Sequence, residues 1–231
     1  MEPILEGLSG ALARLTSFDR DVYAAASASL AVSGTATALS ILIGVPLGAL
    51  LGLTRFPGRT LALSVVNTGM GLPPVAVGLF VATLVWRSGA LGGLDWYCTR
   101  PAIVMAQLAL AAPTVIGLTA VALQSVDPML RLQLTSLGAT RLQPALVLIR
   151  ESRLLLISAA LAGFGAVISE IGASLMVGCN VKGDTRLLTT AIVLETSSGQ
   201  FGSAYALVFI LLALVFGVSA LTTWAQQRRP A

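Results

Sequence analysis

The chain has 231 residues, 56% of them hydrophobic and only 10% charged, with a mean hydropathy of +0.89. Its 14 basic and 10 acidic side chains could not cover a soluble fold of this length without leaving large apolar patches, and the same composition excludes intrinsic disorder. A net charge of +4 scattered between apolar runs argues against nucleic-acid binding, and the lack of histidine removes zinc, haem and thiol–imidazole chemistry.

Residues 1–21 form an amphipathic N-terminal segment. Ile4, Leu5, Leu8, Leu12 and Leu15 recur at roughly helical spacing, which fits an interfacial helix or a frayed terminus. Met1-Glu2-Pro3 lacks the basic start and compact apolar core of a signal peptide. From Val22 to Thr54 there is no charged residue, and a first span is expected near 30–53, which the Ala/Ser-rich approach from Val22 can extend. Gly34, Gly44, Gly48 and Gly52 suit close helix packing.

Arg55-Phe-Pro-Gly-Arg59 reads as a turn. The second uncharged stretch, 60–86, carries Gly69, Gly71, Pro73 and Pro74 in its middle and predicts a broken helix. Broken backbone at membrane depth is tolerated only where protein or water satisfies it, so this span belongs in the interior or beside a pathway. A loop at 87–100 leads to a third span at about 102–124, interrupted by Pro113.

Asp127 can cap a short helix over 129–137, Gly138 marks a positive-φ break, and a second short element runs over 142–149. Two amphipathic helices in a basic loop make a docking surface for a soluble partner, or they lie in the headgroup layer. A fourth span, Leu154 to about Gly178, holds one ionisable residue, Glu170. After a polar stretch at 179–200, a last span at about 202–224 ends before a short tail, 226–231. The transmembrane domain is therefore 22–225, an all-α polytopic bundle of about five transmembrane helices. Cys98 and Cys179 stand in unrelated contexts and, by sequence, support neither a disulfide framework nor a redox compartment.

Five spans put the termini on opposite sides. With the C-terminus inside, the inner segments carry eight basic and two acidic residues, and the outer segments six and seven. The Lys/Arg bias thus favours a cytoplasmic C-terminus and an extracytoplasmic N-terminus.

The stretch Leu132-Gln-Leu-Thr-Ser-Leu-Gly138-Ala139-Thr-Arg141 resembles the cytoplasmic signature loop of ABC importer permeases. It departs from that loop in having Leu132, Gln133 and Leu134 at the acidic–Ala–Ala positions, and Ile149-Arg150-Glu151 where a Leu-Pro usually stands. Residues 162–173, Val177-Gly178-Cys179-Asn180, 185–192 and the Gly71-Leu72-Pro73-Pro74 run are similar to permeases of tungstate importers, related to the molybdate and sulfate permease group.

The resemblance implies the type I, molybdate/sulfate-like permease fold in a bacterial cytoplasmic (inner) membrane. It also implies an assembly of two copies of this chain, two cytoplasmic ATPases and an extracytoplasmic oxyanion-binding protein. ATP and magnesium would sit on the ATPase and no cofactor on this chain, which has no Walker A pattern and is expected not to be an enzyme. Leu132, Leu137, Gly138, Ala139 and Arg141 would couple to the ATPase.

Glu170 is either a gate or a satisfied carboxylate that fixes packing; direct binding of a dianion is disfavoured by charge. Gly71, Pro73 and Pro74 could shape a pathway, or serve packing alone. Lys182, Thr185, Arg186, Thr189 and Thr190 suit a tetrahedral oxyanion or a binding-protein contact, unless Lys182 and Arg186 merely pair with Asp184 and Glu195. A stand-alone secondary transporter, a channel or a membrane scaffold subunit is the reading from another class.

Overall fold

The computed structural model describes residues 2–17, 19–138 and 142–227, which are helical apart from short connections. The helices are α1 (Glu2–Thr16), α2 (Arg20–Leu53), α3 (Arg59–Met70), α4 (Pro74–Val85), α5 (Arg100–Gln124), α6 (Pro128–Ser136), α7 (Leu142–Glu151), α8 (Arg153–Ile168), α9 (Gly172–Gly178), α10 (Leu188–Ser197) and α11 (Phe201–Gln227). Helices α2, α5 and α11 are each long and apolar enough to cross a membrane. Two further spans are broken: α3 and α4 meet at a bend of 100°, α8 and α9 at 60°. Counting each bent pair as one span gives the expected five.

Helix α2 starts ten residues before the expected span. Asp19 caps it, accepting from the N–H groups of Asp21 and Val22 at 3.0 and 3.4 Å. At about 1.5 Å per residue this helix outruns the ~30 Å of a bilayer core, so its first turns extend beyond the hydrocarbon. Helix α1 packs on α11, with Gly7 against Tyr205 and Arg14 Nη2 donating to Ser203 Oγ at 2.8 Å.

Helix α5 is the mast of the bundle. Glycines on α2 let the two backbones close up: Cβ atoms added at Gly44, Gly48 and Gly52 would fall 2.9 Å or less from Val115, Ile116 and Ala120. A Cβ at Gly34 would meet nothing within 4 Å among the described residues, so packing within the chain explains three of these four glycines.

Both broken spans run antiparallel to α5 along its whole length. In the first, Arg59 and Leu123 line one cavity, Gly69 abuts Pro113, and Trp86 stacks edge-on against Tyr97 at a centroid distance of 4.6 Å. In the second, Ser152 Oγ donates to Ala122 O at 3.5 Å, Gly163 abuts Val115, and Gly178 abuts Ile103. The sharp bend between α3 and α4 is therefore a kinked crossing, since the segment reaches the opposite end of α5.

This antiparallel arrangement corrects the reading of the cysteines. Cys98, just before α5, and Cys179, just after α9, form a disulfide with Cα atoms 5.1 Å apart. Cys98 N–H also donates to Val177 O at 2.9 Å. The two residues are 81 positions apart in sequence, and only the run of α8 and α9 back along α5 makes them neighbours.

Candidate functional site

Three places collect the residues that the sequence singles out. The first is the pair of helix breaks at membrane depth. Gly71, Leu72 and Pro73 separate α3 from α4; Pro73 and Pro74 lack N–H groups, so the second half-helix starts without leaving those donors unpaired. Ser169, Glu170 and Ile171 separate α8 from α9.

The side chain of Glu170 is 7% exposed and turns back over the start of α9. Its carboxylate accepts the N–H of Ala173 at 2.7 Å, the N–H of Ser174 at 3.1 Å and the hydroxyl of Ser174 at 3.1 Å. A carboxylate in an apolar span is costly unless satisfied, and three donors satisfy this one.

The breaks touch each other. A Cβ added at Gly172 would lie 2.7 Å from Val75 Cγ2, and Gly78 faces Ala173 across the α4–α9 contact. Gln107 of α5, which the sequence reading overlooked, ties the second break to the mast. Its Nε2 donates to Val167 O at 3.1 Å and to Ser174 Oγ at 3.4 Å, with the side chain fully buried. An amide in the middle of an apolar span was the available signal. Gly71, Pro73 and Pro74 are exposed on the chain's surface.

The second place is the cap around the disulfide. Thr185, Thr189 and Thr190 are 1–3% exposed, and their hydroxyls are used inside the fold. Thr185 donates to Gly178 O and accepts from Val181 N–H at 2.9 Å. Thr189 donates to Glu170 O at 3.2 Å, and Thr190 donates to Asn180 Oδ1 at 2.9 Å while accepting from Leu187 N–H at 3.0 Å. These threonines hold the α9–α10 turn, where Cys179 and Asn180 adopt positive φ. The chain uses their hydroxyls before any solute could.

Lys182 Nζ pairs with Asp21 at 2.7 Å and Arg100 Nε with Asp184 at 3.1 Å, pairings different from the expected partners Asp184 and Glu195. Arg186 Nη2 donates to Asn180 O at 3.4 Å, while its buried Nε has no partner among the described residues. Ser29 on α2 completes the cap by accepting the N–H of Leu188 at 2.9 Å.

The third place is the segment between α5 and α8. Asp127 Oδ1 accepts the N–H of Met129 at 2.8 Å, and Gly138 has φ +79°, both as the sequence requires. Leu132 and Leu137 are 58% and 84% exposed, and Leu146 on α7 is 65% exposed. Ala139 and Arg141 lie outside the described residues. Beside this segment a cavity of about 400 Å³ is walled by Arg55, Arg59, Gln124, Asp127 and Leu148. Ser152 alone separates α7 from α8, and its N–H bonds to Leu148 O at 2.9 Å, so the two helices are nearly continuous.

Comparison with known proteins places this architecture. Residues 44–229 match the family described as binding-protein-dependent transport system inner membrane component. A probable anion ABC transporter permease of Haloferax volcanii is 41% identical over 207 residues, spanning 87% of this chain and 89% of that protein. The tungstate uptake system permease of Peptoclostridium acidaminophilum is 37% identical, over 95% of this chain and 96% of its own length. Among solved structures, an amino acid ABC transporter chain superposes with a TM-score of 0.67 at 16% identity, covering 93% of this chain and 97% of that one, which bears on the fold alone.

Proposed function

The chain belongs to the family of binding-protein-dependent transport system inner membrane components, and on that premise we propose that it is the permease of an ATP-driven oxyanion importer, with tungstate as cargo. Near-full-length similarity to a tungstate uptake permease carries the reading. The protein makes no covalent change in its substrate. A partner ATPase binds ATP and magnesium, and this chain holds no cofactor.

In the working assembly two copies of the chain stand side by side in the cytoplasmic (inner) membrane, with two ATPases beneath and an oxyanion-binding protein above. The basic segment between α5 and α8 faces the ATPase, the C-terminal tail lies on the same side, and the N-terminus lies outside. The Cys98–Cys179 disulfide supports this orientation, because such bonds persist in oxidising compartments. Residues 22–225 form the single permease domain, with the coupling segment at 127–150.

Leu132, Leu137 and Gly138 present an apolar, sharply turned surface to the ATPase, and Ala139 and Arg141, outside the described residues, belong to the same coupling stretch of the sequence. ATP binding draws the nucleotide domains together and displaces α6 and α7. The near-continuous α7–α8 junction passes that displacement to the broken span, converting an inward-open cavity to an outward-open one. Gly71, Pro73 and Pro74 border the pathway. Glu170 acts as a structural cap, and the turn carrying Lys182 and Arg186 forms part of the surface that receives the binding protein.

The test is ATP-dependent uptake in proteoliposomes containing the whole complex, with tungstate, molybdate and sulfate in competition. Tungstate uptake that follows ATP and resists excess sulfate supports the proposal. Preference for molybdate would keep the assembly and change the cargo. Uptake without ATP hydrolysis would replace the importer by a secondary transporter.

A further inference from the structure

Helix α3 carries a polar stripe along one side. Thr60, Ser64, Asn67, Thr68 and Gly71 fall at positions i, i+4, i+7, i+8 and i+11, which lie along one side of an α-helix. All five are exposed on the chain. The opposite side of the helix is apolar and engaged: Gly69 abuts Pro113, and Val66 and Met70 reach Gly117, both on α5.

The stripe differs from several membrane hydroxyls in how it is satisfied, although the buried Ser33 Oγ and Thr119 Oγ1 also lack a partner among the described residues. Thr35, Thr37, Ser40 and Ser169 each donate to a carbonyl one turn back, at 2.6–2.8 Å, so those side chains need nothing from outside the helix. Among the described residues, the side chains of Thr60, Ser64, Asn67 and Thr68 make no hydrogen bond. At about 1.5 Å per residue from Arg59, the stripe climbs to roughly 18 Å at Gly71, near mid-bilayer. Lipid tails offer nothing to hydroxyl or amide groups at that depth, so this face borders water, a solute or another polar surface.

Its chemistry selects among these. The stripe begins beside Arg59, in the wall of the inner cavity, and ends at the break between α3 and α4. It offers hydroxyl and amide donors and no charge. Neutral donors can stand in for the hydration of an oxyanion without holding it, whereas a cation in the same place would trap it; passage needs binding that is favourable but weak. We propose that Thr60, Ser64, Asn67 and Thr68 line the water-filled route by which the oxyanion passes between the break and the inner cavity. This rests on the importer reading and adds the residues that touch the cargo on its way through.

The experiment uses the complete complex in proteoliposomes. Thr68→Cys and Ser64→Cys are challenged with a charged, membrane-impermeant thiosulfonate, the native cysteines being held in their disulfide. Both are expected to react in at least one nucleotide state, and Leu212→Cys, at an exposed leucine in the apolar middle of α11, is expected not to. Separately, Asn67→Asp, which sets a carboxylate against a dianion, is expected to cut uptake at least about tenfold, and Asn67→Ser to retain most of it. Thr35→Val, which removes an already satisfied hydroxyl, is expected to leave uptake intact.

Absence of labelling at Thr68→Cys in every nucleotide state would mean the stripe is buried against the second copy, overturning the route. Equal uptake by Asn67→Asp and the unaltered complex would overturn it as well. If the unaltered complex imports no oxyanion while the stripe still reacts, the importer reading fails and the water-filled face stands.

Discussion

Gly78 of α4 lies directly against the backbone of Ala173 of α9: a Cβ at position 78 would sit 2.7 Å from Ala173 Cα and 3.0 Å from Met176 Cβ. The second halves of the two broken spans are therefore in close contact, which a side chain at position 78 would force apart. Gly78→Val is expected to destabilise the detergent-solubilised protein by about 1–3 kcal/mol through overpacking. Gly34→Ala, where the added methyl meets nothing within 4 Å, is expected to leave the melting temperature of the single chain unchanged or raised. Thermal unfolding followed by size-exclusion chromatography compares the two, and equal melting temperatures would contradict the contact.

Glu170 predicts a different pattern. Glu170→Ala strands the N–H groups of Ala173 and Ser174 and the Ser174 hydroxyl in a buried place, at a cost of about 1–3 kcal/mol. Glu170→Gln retains an acceptor and is expected to lose less. Uptake per folded complex should follow stability in both variants. A drop in uptake with unchanged melting would instead assign Glu170 to gating.

The disulfide gives a test of orientation and stability together. Replacing Cys98 by serine frees Cys179, which an impermeant maleimide added outside intact cells is expected to label; the unaltered protein should not react. A bridge closing a loop of 81 residues contributes about 2–5 kcal/mol, so the variant should melt earlier. Labelling only after the membrane is permeabilised would invert the topology.

Gly138 has φ +79°, a backbone shape that costs an L-residue about 1–2 kcal/mol. Gly138→Val is expected to disturb the turn between α6 and α7 and to lower ATPase stimulation by the loaded binding protein. Leu137→Asp, at a side chain 84% exposed, is expected to leave the permease folded and to weaken its co-purification with the ATPase. Undiminished co-purification would remove Leu137 from the coupling surface.

Lys182 pairs with Asp21 at 2.7 Å, with both side chains about 60% exposed. Surface pairs of this kind contribute little, so Lys182→Ala is expected to shift stability by less than about 0.5 kcal/mol. A fall in uptake in this stable variant would mark the residue as part of the receiving surface. Unchanged uptake would leave it a solvated pair.

The spans were legible because lipid imposes a length and a composition, and the break at Gly71-Leu72-Pro73-Pro74 because two prolines and a glycine in an apolar run have few other uses. Asp127 and Gly138 were legible for equally local reasons, a cap and a positive φ. What the sequence hid was non-local. Cys98 and Cys179 become neighbours only through the antiparallel run of the α8–α9 span along α5. Thr185, Thr189 and Thr190 look like free donors until the turn that consumes their hydroxyls is folded. Likewise, Glu170 cannot be told from a gate until Ala173 and Ser174 are seen to turn their N–H groups onto it.

The leucines left bare at positions 132, 137 and 146 have a consequence for biogenesis. A newly inserted copy without its ATPase would present them to water as a greasy patch of the kind that chaperones and quality-control proteases engage. Abundance of the chain would then track synthesis of its cytoplasmic companion, and surplus copies would be cleared from the cell.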